Sequence, residues 1–131
     1  MFKHILFPTD GSANADIAAH AAMRFAKSVG ARVTAVHVLP VVCHPSEPPP
    51  ELAGKYLLAV QHVAAEQGIS CEVQLAKGED VAQAILQTAF ERQCDLLALS
   101  SRGLGSTAQA PPGSATLRML TLSQIPVLLF R

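Results

Sequence analysis

The sequence has no excess of charge of either sign, and this absence limits the partners that it can attract. Ten Lys and Arg residues balance ten Asp and Glu residues among 131, so that the formal net charge is zero. A chain without a basic surface has no electrostatic reason to coat nucleic acid or anionic lipid. We therefore expect neither a nucleic-acid nor a membrane partner, and any bound anion must be held by local geometry.

Long apolar runs, a secretory signal and closely paired cysteines are also missing. No apolar run approaches the roughly 20 residues that a membrane-spanning helix needs. The N-terminal "MFKHILFPTDG" reaches a turn after only a few apolar residues, which is unlike a signal peptide. The three cysteines are odd in number and never spaced as C-x-x-C. We expect a cytoplasmic protein whose cysteines stay reduced, as small core residues.

What the sequence does contain is a regular alternation of strand and helix patterns. Half of the residues are hydrophobic and 15% are charged, so the chain is ordered, and its length fits a single domain over 1–131. The predicted strands are 2–8, 31–39, 70–76, 94–100 and 125–131. The four segments between them favour helices, and this order predicts an α/β fold with one doubly wound parallel sheet and helices on both faces.

The helix predictions depend on apolar residues at helical spacing. In the first helix this stripe is Ile17, Ala18, Ala21, Phe25 and Val29. Further helices are expected from about 50 to 68, from 81 to 89 and from 113 to 123. Residues 40–50 hold five of the nine prolines and are predicted to form an irregular connection.

The fold class itself points to a place for a ligand. In open α/β sheets, ligands bind beyond the carboxyl ends of the strands, where the strand order reverses. Two loops have a suitable composition, residues 9–14 after the first strand and residues 100–114 after the fourth. If these strands are neighbours, the two loops face each other across a crevice.

The loop "SSRGLGSTAQAPPGS" does not fit the common glycine motifs for nucleotides. No Gly-Lys-Ser or Gly-Lys-Thr occurs, which excludes a Walker A loop. Gly103-x-Gly105-x-x-Ala108 matches a relaxed dinucleotide fingerprint, but that motif belongs after the first strand and opens directly into a helix. We therefore exclude the dinucleotide interpretation.

A different spacing fits better, because nine residues separate Gly103 from Gly113-Ser114. Together with "ILFPTDGS" near the N-terminus, "VHV" at the end of the second strand and "IPVLLF" at the C-terminus, this pattern resembles the universal stress protein family along the whole chain. The resemblance implies a five-stranded parallel sheet of order 3-2-1-4-5. It also implies the signature G-x-x-G-x9-G-[S/T] of the nucleotide-binding branch, and thus a stress-response regulator that binds ATP or a related adenine nucleotide.

The resemblance also implies roles for individual residues. Asp10 lies at the base or ribose, His37 and Val38 at the adenine, and Gly103, Gly113 and Ser114 at the phosphates, which Mg²⁺ would bridge. Glycine suits such positions because backbone amides can then approach an oxyanion closely. The predicted nucleotide-binding residues are Pro8, Thr9, Asp10, His37, Val38, Ser100, Arg102, Gly103, Gly105, Gly113, Ser114 and Ala115.

Two departures from the family pattern keep an alternative function open. Ser100 occupies the position of the first glycine, and Pro111 and Pro112 remove two amide donors from the loop. The alternative is a dimeric protein that binds no nucleotide and acts through protein contacts. Dedicated ATP hydrolysis ranks lowest, since no general base or arginine finger can be selected from the sequence.

Several of these polar residues also have a purely structural interpretation. Asp10 in "TDGS" suits an Asx turn, Ser12 suits a helix N-cap, and Glu79-Asp80 suits a helix start. His37 fits a satisfied histidine at a pocket edge better than a catalytic group. The histidines show no metal-ligand spacing, so no metal site is predicted among them.

The last strand, with its apolar "VLLF", is predicted to lie at the edge of the sheet. An exposed apolar edge favours pairing with a second copy. The family resemblance implies dimerisation through this strand, so we expect a two-fold homodimer that uses residues 126–131.

Overall fold

The computed structural model describes residues 2–39, 51–101 and 114–130, and in these ranges strands and helices alternate. The elements are β1 (His4–Pro8), α1 (Ala13–Val29), β2 (Arg32–Leu39), α2 (Leu52–Glu66), β3 (Cys71–Lys77), α3 (Val81–Glu91), β4 (Leu96–Ser100), α4 (Ser114–Leu122) and β5 (Val127–Phe130). The predicted connection over 40–50 lies outside the described residues. Within them, no helix combines the length and the apolar character that crossing a membrane requires.

All neighbouring strands are parallel, in the order β3-β2-β1-β4-β5. The predicted fold class and strand order are therefore confirmed, including the adjacency of β1 and β4. Connections that all cross over with the same hand place α1 and α2 on one face of the sheet and α3 and α4 on the other.

The central strand β1 is covered by helices on both faces of the sheet, which explains its continuous apolar sequence. Ile5, Leu6 and Phe7 are completely buried. Ile5 and Phe7 join the hydrophobic cluster under α1 and α2, whereas Leu6 joins the cluster under α3 and α4. A strand buried on both sides needs apolar residues at successive positions, because its side chains alternate between the two faces.

Helix ends follow the predicted capping residues. The Ser12 hydroxyl accepts a hydrogen bond from the Ala15 amide at 3.1 Å and caps α1, and Gly30 ends that helix with a φ of 71°. The Asp80 carboxylate accepts from the Gln83 amide at 3.3 Å and caps α3. The structural interpretations of Ser12 and of Asp80 are thus confirmed.

The apolar stripe of α1 is not buried throughout, since Ile17 has an exposed fraction of 64%. The buried residues of this helix are Ala15, Ala18, Ala19, Ala22, Met23 and Ala26. Five of these six are alanines, whose small side chains let the helix axis lie close to the sheet, and Ile17 lies outside this buried face. The helical spacing put Ile17 and Ala18 in one stripe, but in the structure only Ala18 of these two is buried.

Burial determines the state of the two described cysteines. Cys94 is buried, Cys71 is partly buried, and both are free thiols. Loss of solvent contact raises the pKa of each thiol to about 11, so both stay protonated at neutral pH. The prediction of small core cysteines is confirmed for Cys94, while Cys43 lies outside the described residues.

A buried histidine lies at the amino edge of the sheet. Nδ1 of His4 is 3.0 Å from the Arg92 carbonyl oxygen, and Nε2 is 2.6 Å from the Thr34 hydroxyl. Because a carbonyl oxygen only accepts, Nδ1 donates, and Nε2 of the neutral ring accepts from Thr34. Burial first, and the nearby charge of Arg32 second, lower the pKa of His4 below its ordinary value of 6.5, against the opposing effects of the Arg92 hydrogen bond and of Glu72 and Asp95.

We predict that the free energy of unfolding falls as the pH is lowered from 7 to 5. The unfolded chain takes up a proton below pH 6.5, whereas the folded chain resists protonation of His4 until a lower pH, so acid favours unfolding. His4→Gln keeps a donor and an acceptor but does not titrate, and we expect it to reduce this slope in urea unfolding.

The matched control is His62→Gln, because the side chain of His62 is 77% exposed. We expect this variant to retain a pH dependence close to that of the wild type. An unchanged slope in His4→Gln would contradict the role of the buried imidazole.

Candidate functional site

A cavity of about 320 Å³ opens at the carboxyl ends of β1, β2 and β4. This is the place where the connections that follow the neighbouring strands β1 and β4 leave in opposite directions along the sheet, and its volume lies at the lower end of the range for small-molecule pockets. The lining residues are Pro8, Thr9, Asp10, Ala15, Val36, His37, Val38, Val81, Ile85, Leu99, Ser100, Ala115, Thr116 and Met119. The cavity is therefore shared by strand ends and by parts of α1, α3 and α4.

The structure brings together many residues that the sequence predicted for a nucleotide site. Those that line the cavity are Pro8, Thr9, Asp10, His37, Val38, Ser100 and Ala115. Ser114 is the first residue of α4, directly before Ala115. The predicted residues Arg102, Gly103, Gly105 and Gly113 lie outside the described residues.

The turn between β1 and α1 holds Asp10 at the rim of the cavity. Oδ1 of Asp10 accepts from the Ser12 amide at 2.9 Å, and the Thr9 hydroxyl accepts from the Gly11 amide at 3.2 Å. Gly11 has a φ of 78°, and a Cβ there would collide with the ring of Tyr56. The Asx turn is thus confirmed, and it fixes the Asp10 carboxylate beside the cavity.

His37 connects the ends of two strands. Its Nδ1 donates to the Thr9 carbonyl oxygen at 2.7 Å, and the Thr9 amide donates to the Val36 carbonyl oxygen at 2.9 Å. The ring of Tyr56 meets the imidazole edge-on, with ring centroids 5.3 Å apart. His37 is therefore a satisfied histidine at the pocket edge, as one interpretation of the sequence held. Its contact with Tyr56 of α2 was not predicted, and nothing in the sequence spacing indicates it.

The inner walls of the cavity are apolar, and sequence reasoning did not select them. Val36 and Leu99 extend from the strands, while Ile85 and Met119 come from α3 and α4, and all four belong to one buried cluster. The Thr116 hydroxyl donates to the Ser100 carbonyl oxygen at 3.3 Å and joins α4 to the end of β4. An apolar interior with a polar rim suits a flat ring system that carries polar groups at one end.

A second cleft of about 440 Å³ lies beside the first, and the two share Val81 and Ala115 as lining residues. Nη2 of Arg118 lies 2.5 Å from Oδ2 of Asp80 along this cleft. The amino-terminal ends of α3 and α4 are at the same place, and their dipoles favour negative charge. Among the described residues, no group of three or more His, Cys, Asp or Glu side chains is arranged to hold a metal ion.

The universal stress protein family model matches residues 1–131. A universal stress protein of Thermus aquaticus is 37% identical over 137 aligned positions that cover all of both chains. Another, of Synechocystis, is 34% identical over 134 positions that cover 98% of this chain and 85% of that protein. The similarity therefore extends over the whole sequence.

Solved structures show the same fold. A universal stress protein of Archaeoglobus fulgidus superimposes with a TM-score of 0.82 at 19% identity, covering 100% of this chain and 95% of that one. A universal stress protein in complex with cAMP gives 0.77 at 19% identity, with coverage of 99% and 97%. An Archaeoglobus fulgidus relative in complex with dAMP gives 0.75 at 18% identity, with coverage of 100% and 98%. Since the family model and a relative of 37% identity both cover the full sequence, this chain belongs to the universal stress protein family.

Proposed function

We propose that this stress protein binds an adenine nucleotide, ATP with Mg²⁺, in the cavity between the loops after β1 and β4. The observation that carries the proposal is the position of the apolar cavity, at the carboxyl ends of β1, β2 and β4 where the strand order reverses. Fold relatives in complex with cAMP and with dAMP support the choice of an adenine nucleotide. The protein would act as a regulator whose state depends on the bound nucleotide.

The lining residues fit the three parts of such a ligand. Val38, Ile85 and Met119 offer apolar surface to the base, and the carboxylate of Asp10 at the rim can accept from ribose hydroxyls. α4 begins at Ser114, and the first amides of a helix have no acceptor within the helix, so they suit the phosphates. The phosphate roles of Arg102, Gly103, Gly105 and Gly113 remain predictions from the sequence.

Magnesium in this proposal is bound mainly by the nucleotide. The described residues hold no cluster of three metal-ligating side chains, and Asp10 is the acidic residue of the main cavity lining. Mg²⁺ commonly keeps several waters and binds through substrate phosphates with one or two carboxylates. The donor set therefore fits an ion that arrives with its nucleotide.

The free thiols support a cytoplasmic location as part of the same proposal. Cys71 and Cys94 form no disulfide, and their raised pKa keeps them protonated at neutral pH. Reduced cysteines are typical of the cytoplasm.

We predict that Mg-ATP raises the thermal unfolding temperature of the wild type. At a ligand concentration 100 times the dissociation constant, binding stabilises the folded state by about 2.7 kcal/mol. Ala115→Leu places a larger side chain between the cavity and the second cleft, and we expect it to abolish the shift. Thermal unfolding followed by fluorescence with an external dye measures both.

Ala65→Leu is the matched control, because Ala65 is an exposed residue of α2 that does not line the cavity. This variant should keep the full shift. Absence of any shift with the wild type at millimolar Mg-ATP would overturn the nucleotide proposal and favour the alternative, a stress protein that acts through protein contacts.

The last strand supports a homodimer that uses residues 126–131. β5 pairs with β4 along one side and lies at the edge of the sheet, and its four apolar residues are each only partly buried. Next to it, Ile17 of α1 is 64% exposed and shares a small cavity of about 250 Å³ with Phe130. A second copy would cover this apolar edge.

We predict that Ile17→Glu converts the dimer to a monomer without unfolding it, because a carboxylate would be desolvated at the interface. Leu58→Glu is the control, since Leu58 has nearly the same exposed fraction, 65%, but lies on α2. Sedimentation at micromolar concentration should give a dimer for the wild type and for Leu58→Glu. A wild-type monomer under these conditions would contradict the dimer.

A further inference from the structure

The two carboxylate oxygens of Asp80 have different hydrogen-bond partners. Oδ1 accepts from the Gln83 amide and caps α3, whereas Oδ2 accepts from Nη2 of Arg118 at 2.5 Å. The side chain of Arg118 is 51% exposed and that of Asp80 is 42% exposed. Because the cap and the ion pair use different oxygens, Arg118 can leave without removing the cap of α3.

The pair lies where a phosphate chain would leave the proposed site. The main cavity, of about 320 Å³, shares Val81 and Ala115 with the cleft of about 440 Å³ that Asp80 and Arg118 line. Arg118 is located one turn after the first residue of α4. Ala115 lies between the two openings, so a phosphate chain that extends past it from the main cavity would enter the second cleft.

The charges of the second cleft make Arg118 important for an anionic ligand. Its described charged residues are Glu79, Asp80 and Arg118, and Asp80 is the one that pairs with the guanidinium. An exposed ion pair contributes little to stability, whereas a guanidinium can form two parallel hydrogen bonds with a phosphate. A phosphate that reaches this cleft therefore competes well with Asp80 for Arg118.

We propose that Arg118 recognises the phosphates beyond the α-phosphate, and that Asp80 holds it in the nucleotide-free protein. This inference rests on the proposed adenine nucleotide site and concerns the number of phosphates that the site selects. Arg118 would make the site prefer nucleoside di- and triphosphates over the monophosphate. Asp80 then serves as the internal competitor that sets the strength of this preference.

The test compares dissociation constants for ATP and AMP, each with Mg²⁺, by calorimetry. Arg118→Gln should weaken ATP binding about tenfold, the effect of one lost charge-assisted contact, and leave AMP binding within about twofold. Arg24→Gln, which removes an exposed charge of α1, is the matched control and should leave the ratio of the two constants unchanged. Equal effects of Arg118→Gln on ATP and AMP would overturn the inference.

Asp80→Asn tests the competition, since the asparagine oxygen can still cap α3. This variant should strengthen ATP binding, and the gain should shrink when Arg118→Gln is also present. A gain of the same size in both backgrounds would overturn the competition, because Asp80 would then act only as a repelling charge.

The outcomes separate this inference from the proposed function. A wild type that binds neither ATP nor AMP overturns the nucleotide site and the role of Arg118 with it. A wild type that binds both, with an ATP-to-AMP ratio that Arg118→Gln does not change, overturns the role of Arg118 alone and leaves the nucleotide site in place.

Discussion

The double-sided burial of β1 is the constraint on which the other features depend. Its residues are covered by two helices on each face, and its backbone pairs with β2 on one side and β4 on the other. β1 therefore cannot be an edge strand, and the later strands are added to the sheet on both of its sides. The opening at its carboxyl end is a geometric result of that reversal, and the cavity with Asp10 at its rim follows from it.

The sequence predicted the order and kind of the elements because the apolar periods of strands and helices differ. The order of the strands within the sheet could not be predicted in this way, because periodicity does not indicate which strands are neighbours. That order was predicted from the family resemblance. Ile17 shows the limit of such patterns. It shares the apolar spacing that indicates a helix, yet the face of α1 packed on the sheet consists of five alanines and Met23 and leaves Ile17 outside.

The lining of the cavity was predictable where it depends on loop chemistry and not where it depends on contacts distant in sequence. Asp10, His37 and Ser100 were identified from strand ends and from the family pattern, and all three line the cavity. The ring of Tyr56 against His37, and the pairing of Asp80 with Arg118, join residues on different elements. Such pairs become visible only when the helices are placed, because no local spacing encodes them.

The hydrogen-bonded His4 lies at the amino edge of the sheet, remote along the strands from the cavity at the carboxyl edge. There Nδ1 and Nε2 join β1 to the residue after α3 and to β2, and no residue of the cavity lining takes part. The hydrogen bonds of His4 and the polar rim of the cavity thus use different sets of positions. A change at Ser100, on the carboxyl edge, therefore leaves the hydrogen bonds that join β1, β2 and the end of α3 at the amino edge in place.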